Sequence, residues 1–512
     1  MSKTIKGMVY LVGAGPGDPG LLTLKAKACI EKGDVLIYDN LANRVFLEYA
    51  REDAERIYVG KEGGKHTLSQ DKINELIVHK AEQGLNVVRL KGGDPFIFGR
   101  GGEEAQVLVK AGVFFEVVPG VTSAIAVPAY AGIPLTHREH TSTVAFITGH
   151  EDPTKDTSDI AWDKLATGAG TLVFLMGVGN LEKIAFRLME HGRAPETPVA
   201  VIRKGTVAEQ RTVTGCLKDI SEIAEKEKIR APAVIVVGDV VHLRKELNWF
   251  EEKPLFGKRI IVTRAREQAS EFLSALSEMG AGCLEFPTIK VLPPESFEGL
   301  DRSIHDIETY HWLIFTSVNG VKYFFDRLET LSRDVRDLKG LKIAAIGPAT
   351  AEAVTSKGLR IDLIPEEYRA ESVVEAFRKE DIEGKRILLP RAREAREVLP
   401  EELEKLGAVV DVVEAYRTVK PEEDKEKIMG MLRQGDIHMV TFTSSSTVSN
   451  FMDMFHGAPV LDWMEKTAVA CIGPVTAKRA QDQGLKVSLV APEYTIPSFT
   501  RAIVDFFSQP QS

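Results

Sequence analysis

The sequence predicts an α/β protein in two parts, each of two lobes, with the second part built by internal duplication. Three observations carry that prediction. Short apolar runs alternate with longer helix-like stretches along the whole chain, the pattern of layered α/β architecture. The second half repeats itself: Lys258-Arg259-Ile260-Ile261-Val262-Thr263-Arg264-Ala265-Arg266-Glu267 returns as Lys385-Arg386-Ile387-Leu388-Leu389-Pro390-Arg391-Ala392-Arg393-Glu394, an offset of 385 − 258 = 127. Leu313-Ile314-Phe315-Thr316-Ser317 then returns in Met439-Val440-Thr441-Phe442-Thr443-Ser444, and Ile346-Gly347-Pro348-Ala349-Thr350-Ala351 in Ile472-Gly473-Pro474-Val475-Thr476-Ala477. A repeat of that length is a domain-sized duplication rather than a solenoid unit. Two related lobes imply a cleft, and clefts are where small ligands bind. The first half shows no such repeat and carries glycine-rich motifs of its own, so the chain reads as a fusion of two machines.

At 512 residues the chain exceeds one hydrophobic core and calls for about three or four domains. With 44% apolar and 27% charged residues, its composition is that of a folded globular protein. A net charge of −9 disfavours nucleic acid as the main partner, because phosphate binding needs a basic surface. The four cysteines, Cys29, Cys216, Cys283 and Cys471, lie far apart with no Cys-x-x-Cys pair. Neither a metal site nor a disulfide framework is expected, and a reducing compartment fits. No signal-peptide pattern and no membrane-length apolar stretch is read, so the expectation is a cytoplasmic protein with no membrane partner.

In chain order, strands are expected at Met8–Val12, Val35–Tyr38, Val87–Leu90, Val144–Thr148, Thr171–Met176 and Ala233–Val237, and helices at Leu21–Glu31 and Ser69–Gln83. Glu151–Gly170 is polar and turn-rich and reads as a surface insertion. The halves join through a short linker, 249–257, which leaves a first half of 1–248, with lobes at about 1–135 and 136–248, and a second half of 258–507. Within the second half, Lys258–Val291 reads as strand–helix–strand and His311–Phe377 as a larger α/β block; Lys385–Val419 and His438–Phe507 repeat them. The junctions at Val291-Leu292-Pro293-Pro294 and Arg417-Thr418-Val419-Lys420-Pro421 read as crossovers. Lobe one is then 258–291 plus 421–507, and lobe two 294–418.

Val9-Tyr10-Leu11-Val12-Gly13-Ala14-Gly15-Pro16-Gly17-Asp18 follows a strand and opens a helix. Its spacing is Gly-x-Gly-x-Gly rather than the dinucleotide fingerprint, and Asp18 would oppose a pyrophosphate. The glycines suit either close backbone approach by a ligand without phosphate or a tight strand–helix turn. Val88-Arg89-Leu90-Lys91-Gly92-Gly93-Asp94-Pro95-Phe96-Ile97-Phe98-Gly99-Arg100-Gly101-Gly102-Glu103-Glu104 is more specific. Bare backbone at Gly92 and Gly93 can touch a ligand, and Asp94 can accept hydrogen bonds from a hydroxyl or amino group. Thr122 and Ser123, in Val118-Pro119-Gly120-Val121-Thr122-Ser123-Ala124, either face a ligand or cap a helix.

These motifs resemble those of the tetrapyrrole methylases, and specifically uroporphyrinogen-III C-methyltransferase, over about Met8 to Leu243. The resemblance implies two α/β lobes with S-adenosyl-methionine folded into the cleft between them. The cofactor contacts it implies are Pro16, Gly92, Gly93, Asp94, Ile97, Thr122, Ser123, Met176 and Gly205. It also implies acid–base roles for Asp39, at the end of Val35-Leu36-Ile37-Tyr38-Asp39, and for Lys61, in Tyr58-Val59-Gly60-Lys61. Methylating a pyrrole carbon leaves a cationic ring that must shed a proton, so a positioned base is useful. Without the resemblance Asp39 reads as a helix cap, Lys61 as a carboxylate-binding residue and Met176 as core packing. A homodimer through this half is also implied.

In the second half, Arg264 and Arg391 fall at equivalent strand ends. Thr316 and Ser317, Thr350, Ser444 and Thr476 lie in loops at helix starts, where free N–H groups bind carboxylates. No Ser-His-Asp, metal or redox constellation is read. This half resembles uroporphyrinogen-III synthase over about Lys258 to Phe507, a family that needs no cofactor and cyclises hydroxymethylbilane while inverting its last ring. Tyr416, in Val413-Glu414-Ala415-Tyr416-Arg417, matches the tyrosine proposed to assist loss of the substrate hydroxyl; packing between lobes is its other reading. Thr350 and Thr476 match cleft threonines of that family.

The product of the second resemblance is the substrate of the first. Together they imply a bifunctional enzyme that makes uroporphyrinogen III and methylates it twice to precorrin-2, an intermediate placed before sirohaem and cobalamin. The alternatives weighed are a methylase acting on another corrinoid or on RNA, and a second half that is a non-catalytic tetrapyrrole sensor. The acidic balance and the lack of an RNA-binding module count against RNA. No dinucleotide-binding unit is read, so neither a dehydrogenase nor a chelatase activity is expected.

Overall fold

The computed structural model describes residues 6–60, 68–150, 159–264, 266–365, 370–393, 398–419 and 425–509. The chain falls into two compact units, Met1–Ile260 with Ser274–Cys283 and Ile503–Ser512, and Ile261–Leu273 with Leu284–Ala502. The first sheet holds β1 (Val9–Gly13), β2 (Val35–Tyr38), β3 (Glu55–Tyr58), β4 (Val87–Lys91) and β5 (Phe115–Val118) in the order β3-β2-β4-β1-β5. Every pairing in it is parallel. A parallel sheet is covered on both faces, so its strands read as continuous apolar runs. Alternate residues accordingly enter two cores: Val12, Leu36, Val88 and Leu90 on one face, Val9, Leu11, Val35, Ile37 and Val87 on the other.

The helices begin where the polar residues predict. α1 (Leu24–Lys32) is capped by Thr23, whose Oγ1 accepts from Ala26 N at 3.1 Å. α2 (Gln70–Glu82) is capped by Ser69. α3 (Gly101–Lys110) has no side-chain cap and follows Arg100, which is left-handed at φ 59°. α4 (Ser123–Tyr130) is capped by Thr122.

The second sheet holds β6 (Val144–Thr148), β7 (Thr171–Leu175), β8 (Pro198–Arg203), β9 (Arg211–Cys216) and β10 (Ala233–Val237) in the order β6-β7-β10-β8-β9. Only β6 and β7 pair in parallel. The predicted strand Thr171–Met176 stops one residue early, because Met176 turns to φ 59°. The expected surface insertion at Glu151–Gly170 is not wholly irregular. Residues 151–158 lie outside the described ones, but α5 (Trp162–Gly168) buries Ala166 and stacks Trp162 on Phe174, with ring centroids 6.2 Å apart. Polar composition hid the helical spacing of Trp162, Leu165 and Ala166.

The remaining strands are β11 (Arg259–Val262), β12 (Gly282–Glu285), β13 (Lys290–Leu292), β14 (Trp312–Phe315), β15 (Lys342–Ala345), β16 (Arg386–Ala392), β17 (Val409–Val419), β18 (Met439–Phe442), β19 (Ala468–Cys471) and β20 (Val487–Val490). They form two sheets, β12-β11-β18-β19-β20 and β13-β17-β16-β14-β15. The repeat equates β11 with β16, β12 with β17, β14 with β18 and β15 with β19. Four strands of each sheet therefore share one order, two of the four coming from each copy. The crossovers pair with each other, Lys290 with Val419 and Leu292 with Arg417, antiparallel. Val291 thus belongs to the fourth sheet, although the sequence reading ended lobe one on it; a crossover paired to β17 cannot also complete β11 and β12.

Candidate active sites

The first unit has a cavity of about 720 Å³ at the C-terminal ends of the first sheet's strands, lined by residues of both sheets' loops. The open edge of an α/β sheet at its strands' carboxyl ends is where ligands bind. The loops reach it because four glycines meet backbone to backbone. Gly15 and Gly93 exchange hydrogen bonds, N–H to O, at 3.1 and 2.7 Å. An added Cβ on Gly120 would lie 2.3 Å from Gly93 O and 2.7 Å from Gly13 Cα. Gly13 and Gly120 therefore serve close packing of loops, not contact with a ligand.

Of the nine predicted cofactor residues, Pro16, Gly92, Gly93, Ile97, Ser123, Met176 and Gly205 line this cavity, as does Asp39. The other two are engaged elsewhere. Asp94 accepts from Phe96 N at 2.8 Å and from Gly120 N at 3.0 Å, bracing the glycine loops. Thr122 accepts from Ala124 N at 3.3 Å, the capping role. Lys61 lies outside the described residues. Asp39 accepts from Leu41 N at 3.0 Å and from Arg89 Nη2 at 3.1 Å.

Sequence reasoning missed several lining residues. Arg89, Lys91, Arg100 and Lys204 give the cavity four cations against the single carboxylate of Asp39, in a chain of net charge −9. The signal for Arg89 and Lys91 was present: two cations at alternate positions of an otherwise apolar strand. Phe98, Arg100, Met176 and Lys204 also line it, and all four are non-glycine residues with φ between 46° and 59°. Strained backbone of this kind gathers at ligand sites. Nothing in a single sequence marks it.

In the second unit most of the predicted residues lie in loops and helix starts that follow the C-terminal ends of strands in the two sheets. Ser317 caps the helix Val318–Thr330, accepting from Gly320 N at 2.9 Å, and its Oγ lies 2.9 Å from the Tyr416 hydroxyl. Thr316 is half-buried just before it. Tyr416 is 8% exposed, and its ring stacks on Tyr323 at 5.8 Å. Ser444 caps the equivalent helix, Ser445–Met454, in a reciprocal pairing with Thr447. Thr350 and Thr476 sit buried in the first turns of two helices that each open with proline, Pro348–Thr355 and Pro474–Asp482. Arg264 follows the end of β11, but Arg391 is buried inside β16. The expected equivalence at strand ends is lost because β16 continues along the long β17 as far as the pairing of Ala392 with Tyr416.

The family model described as Tetrapyrrole (Corrin/Porphyrin) Methylases matches residues 8–221. The one described as Uroporphyrinogen-III synthase HemD matches residues 270–501. The chain is 36% identical over 499 residues to the Porphyrin biosynthesis protein HemD of Ruminiclostridium josui, covering 98% of each. The chain belongs to the tetrapyrrole methylases in its first half and to the uroporphyrinogen-III synthases in its second. The methylase half is 60% identical over 242 residues to the S-adenosyl-L-methionine-dependent uroporphyrinogen III methyltransferase of Methanosarcina barkeri, spanning 47% of this chain and 95% of that one. Over 368 residues the chain is 42% identical to the Uroporphyrinogen-III C-methyltransferase of Bacillus subtilis, spanning 72% of this chain and 75% of that one.

The methylase cavity suits S-adenosyl-methionine. Ile97, Val127, Leu175 and Ile202 offer apolar wall for an adenine, and Gly92, Gly93 and Gly205, bearing no side chain, leave room beside it. In the synthase half, helix N-termini with hydroxyl caps recur on both sheets, which suits carboxylates.

Proposed function

We propose that this chain is a bifunctional enzyme of tetrapyrrole biosynthesis. Its synthase half cyclises hydroxymethylbilane to uroporphyrinogen III with inversion of the last ring. Its methylase half transfers two methyl groups from S-adenosyl-methionine to that product, giving precorrin-2. The observation that carries the reading is the methylase cavity: seven of the nine residues expected at the cofactor border it, together with Asp39 and four cations. A polycarboxylate substrate wants such a lining, and a focused positive site in an acidic protein draws it in.

S-adenosyl-methionine supplies an electrophilic methyl group. Pro16, Gly92, Gly93, Ile97, Ser123, Met176 and Gly205 would hold it. Asp39 is read as the group that takes the proton the methylated ring must lose; its position on the cavity wall supports this. Arg100 and Lys204 are read as charge partners for substrate carboxylates, while Arg89 and Lys91 are taken up by buried Glu104. In the synthase half Tyr416 is read as the group assisting loss of the substrate hydroxyl, supported by its hydrogen bond to the helix cap Ser317. Homodimerisation through the methylase half is supported by the exposed Phe96 and Ile125, which do not line the cavity. A cytoplasmic setting is supported by the four free cysteines. Among the described residues, no helix is long and apolar enough to cross a membrane.

The test is one incubation of the full chain with hydroxymethylbilane and S-adenosyl-methionine, followed by mass spectrometry. A cyclised product carrying two added methyl groups is expected. Cyclisation without methylation overturns the first half of the reading. Cyclised product that chromatography shows to be only the uninverted isomer, the one uncatalysed closure gives, overturns the second and leaves a binding domain.

A further inference from the structure

Beside the cavity, one charged network has a geometry that substrate binding does not require. β4 is buried along all five residues, yet it carries Arg89 and Lys91 on one face. The Arg89 side chain is 4% exposed. Its guanidinium is fixed by four acceptors. Nε donates to Glu104 Oε1 at 3.3 Å, Nη1 to the carbonyls of Ile37 and Leu90 at 3.4 and 3.0 Å, and Nη2 to Asp39 Oδ2 at 3.1 Å. Glu104, on α3, is fully buried, and the same Oε1 also accepts from Lys91 Nζ at 2.7 Å and from Gln70 Nε2 at 3.1 Å. Burial, and then the nearby Arg89, hold the Lys91 ammonium below its ordinary range.

A buried network like this is a poor source of stability, because removing ions from water costs about as much as their attraction returns. Its geometric consequence is more specific. A guanidinium held at four points cannot turn, so the carboxylate it touches cannot turn either. Asp39 is gripped through both oxygens, Oδ1 by its own turn at Leu41 N and Oδ2 by Arg89. This outer end of the network is partly open, with the Asp39 side chain 24% exposed. A base must face its proton within a few tenths of an ångström, and holding it so is the task of surrounding residues.

We propose that Arg89 is a positioning residue for Asp39, and that Glu104 is the buried anion on which Arg89 and Lys91 are seated. The proposal rests on the reading of Asp39 as proton acceptor, and its test separates the two. Single-turnover methylation of uroporphyrinogen III is measured for the full chain, Asp39→Ala, Arg89→Gln and the double variant, with S-adenosyl-methionine affinity and melting temperature taken alongside. Arg89→Gln is expected to keep cofactor affinity and substrate KM while the rate falls by on the order of tenfold to a hundredfold. The double variant is expected to be no slower than Asp39→Ala, since Arg89 acts through Asp39. A wild-type rate in Asp39→Ala removes the proton-acceptor reading, and this proposal with it. A slow Asp39→Ala beside a wild-type Arg89→Gln leaves that reading standing and overturns the positioning role. Losses that multiply in the double variant also overturn it, because Arg89 would then act on the substrate directly. Should Arg89→Gln fail to fold, Arg89→Lys keeps the charge but cannot span Glu104 and Asp39 at once; a wild-type rate there overturns the proposal.

Discussion

Gly120→Ala is the sharpest probe of the glycine cradle. The new Cβ would lie 2.3 Å from Gly93 O, 2.7 Å from Gly13 Cα and 2.8 Å from Gly13 C, all of them backbone atoms. No side chain can swing away, so the loops must part by about 1 Å to reach ordinary van der Waals contact. Overpacking costs about 1–3 kcal/mol. The parting also threatens the two hydrogen bonds between Gly15 and Gly93, worth about 0.5–1.5 kcal/mol each. A loss of about 2–6 kcal/mol follows, part of it recovered if the loops stay open. Open loops misplace Gly93 on the cavity wall, and binding must close them again. S-adenosyl-methionine affinity, read by calorimetry on the full chain, should therefore fall at least tenfold, which is ~1.4 kcal/mol. Cyclisation of hydroxymethylbilane should be unaffected. Gly102→Ala is the control, since its Cβ meets nothing within 4 Å; in the first turn of α3 it should be neutral or stabilising by up to ~1 kcal/mol. Wild-type affinity and melting temperature in Gly120→Ala would refute the argument that loop packing shapes the cofactor site.

Asp39→Ala should bind S-adenosyl-methionine normally and methylate about a hundredfold more slowly; a near wild-type rate would leave Asp39 a structural residue, bonded to Leu41 N and Arg89. Tyr416→Phe removes the hydroxyl that meets Ser317 Oγ while keeping the ring on Tyr323, so turnover should fall more than affinity, and product analysis should show the uninverted isomer rising. A normal rate with only isomer III would make Tyr416 a packing residue. Burial pushes the Cys471 thiol up to about 12. Its contribution to stability is therefore complete below the unfolded value of about 8.5 and is lost as pH rises from there through the folded value. A maleimide at pH 8 should label Cys471 only after unfolding, and labelling of the native protein at a free-thiol rate would contradict its burial.

The strands were legible where the physics is local. β2 and β7 are apolar without interruption because both faces of the sheet are covered, and the helix caps Thr23, Ser69, Thr122 and Ser317 announced themselves by residue type. The cavity was legible only in part. Gly13 and Gly120 are read correctly only once the loops that meet there are known. Asp94 looked like a ligand group, because an acid in a glycine loop has no other evident task; its partner, Gly120 N, is 26 residues away. Arg89 and Lys91 were visible as charges on a buried strand, but the Glu104 that neutralises them comes from a helix whose register against β4 the sequence does not state.

The duplication shows the same boundary from the other side. Its blocks fix which strands correspond, and the crossovers fix that each lobe takes strands from both copies, so neither copy completes a sheet alone. Symmetry of scaffold does not carry over to the site. Ser317 and Ser444 cap equivalent helices, yet Ser317 meets the Tyr416 hydroxyl whereas Ser444 meets Ser446 at 2.9 Å. At the repeat offset the counterpart of Tyr416 is Ile289, which has no hydroxyl to offer. The lobe built on β16 and β17 thus sets a phenol on its Ser317 cap, whereas the equivalent Ser444 cap meets a second serine. A symmetric pair of carboxylate-binding edges can hold a linear polycarboxylate at both ends, but expelling a hydroxyl from one end needs a group at that end alone. Under the role proposed for Tyr416, the lost symmetry at position 416 supplies it.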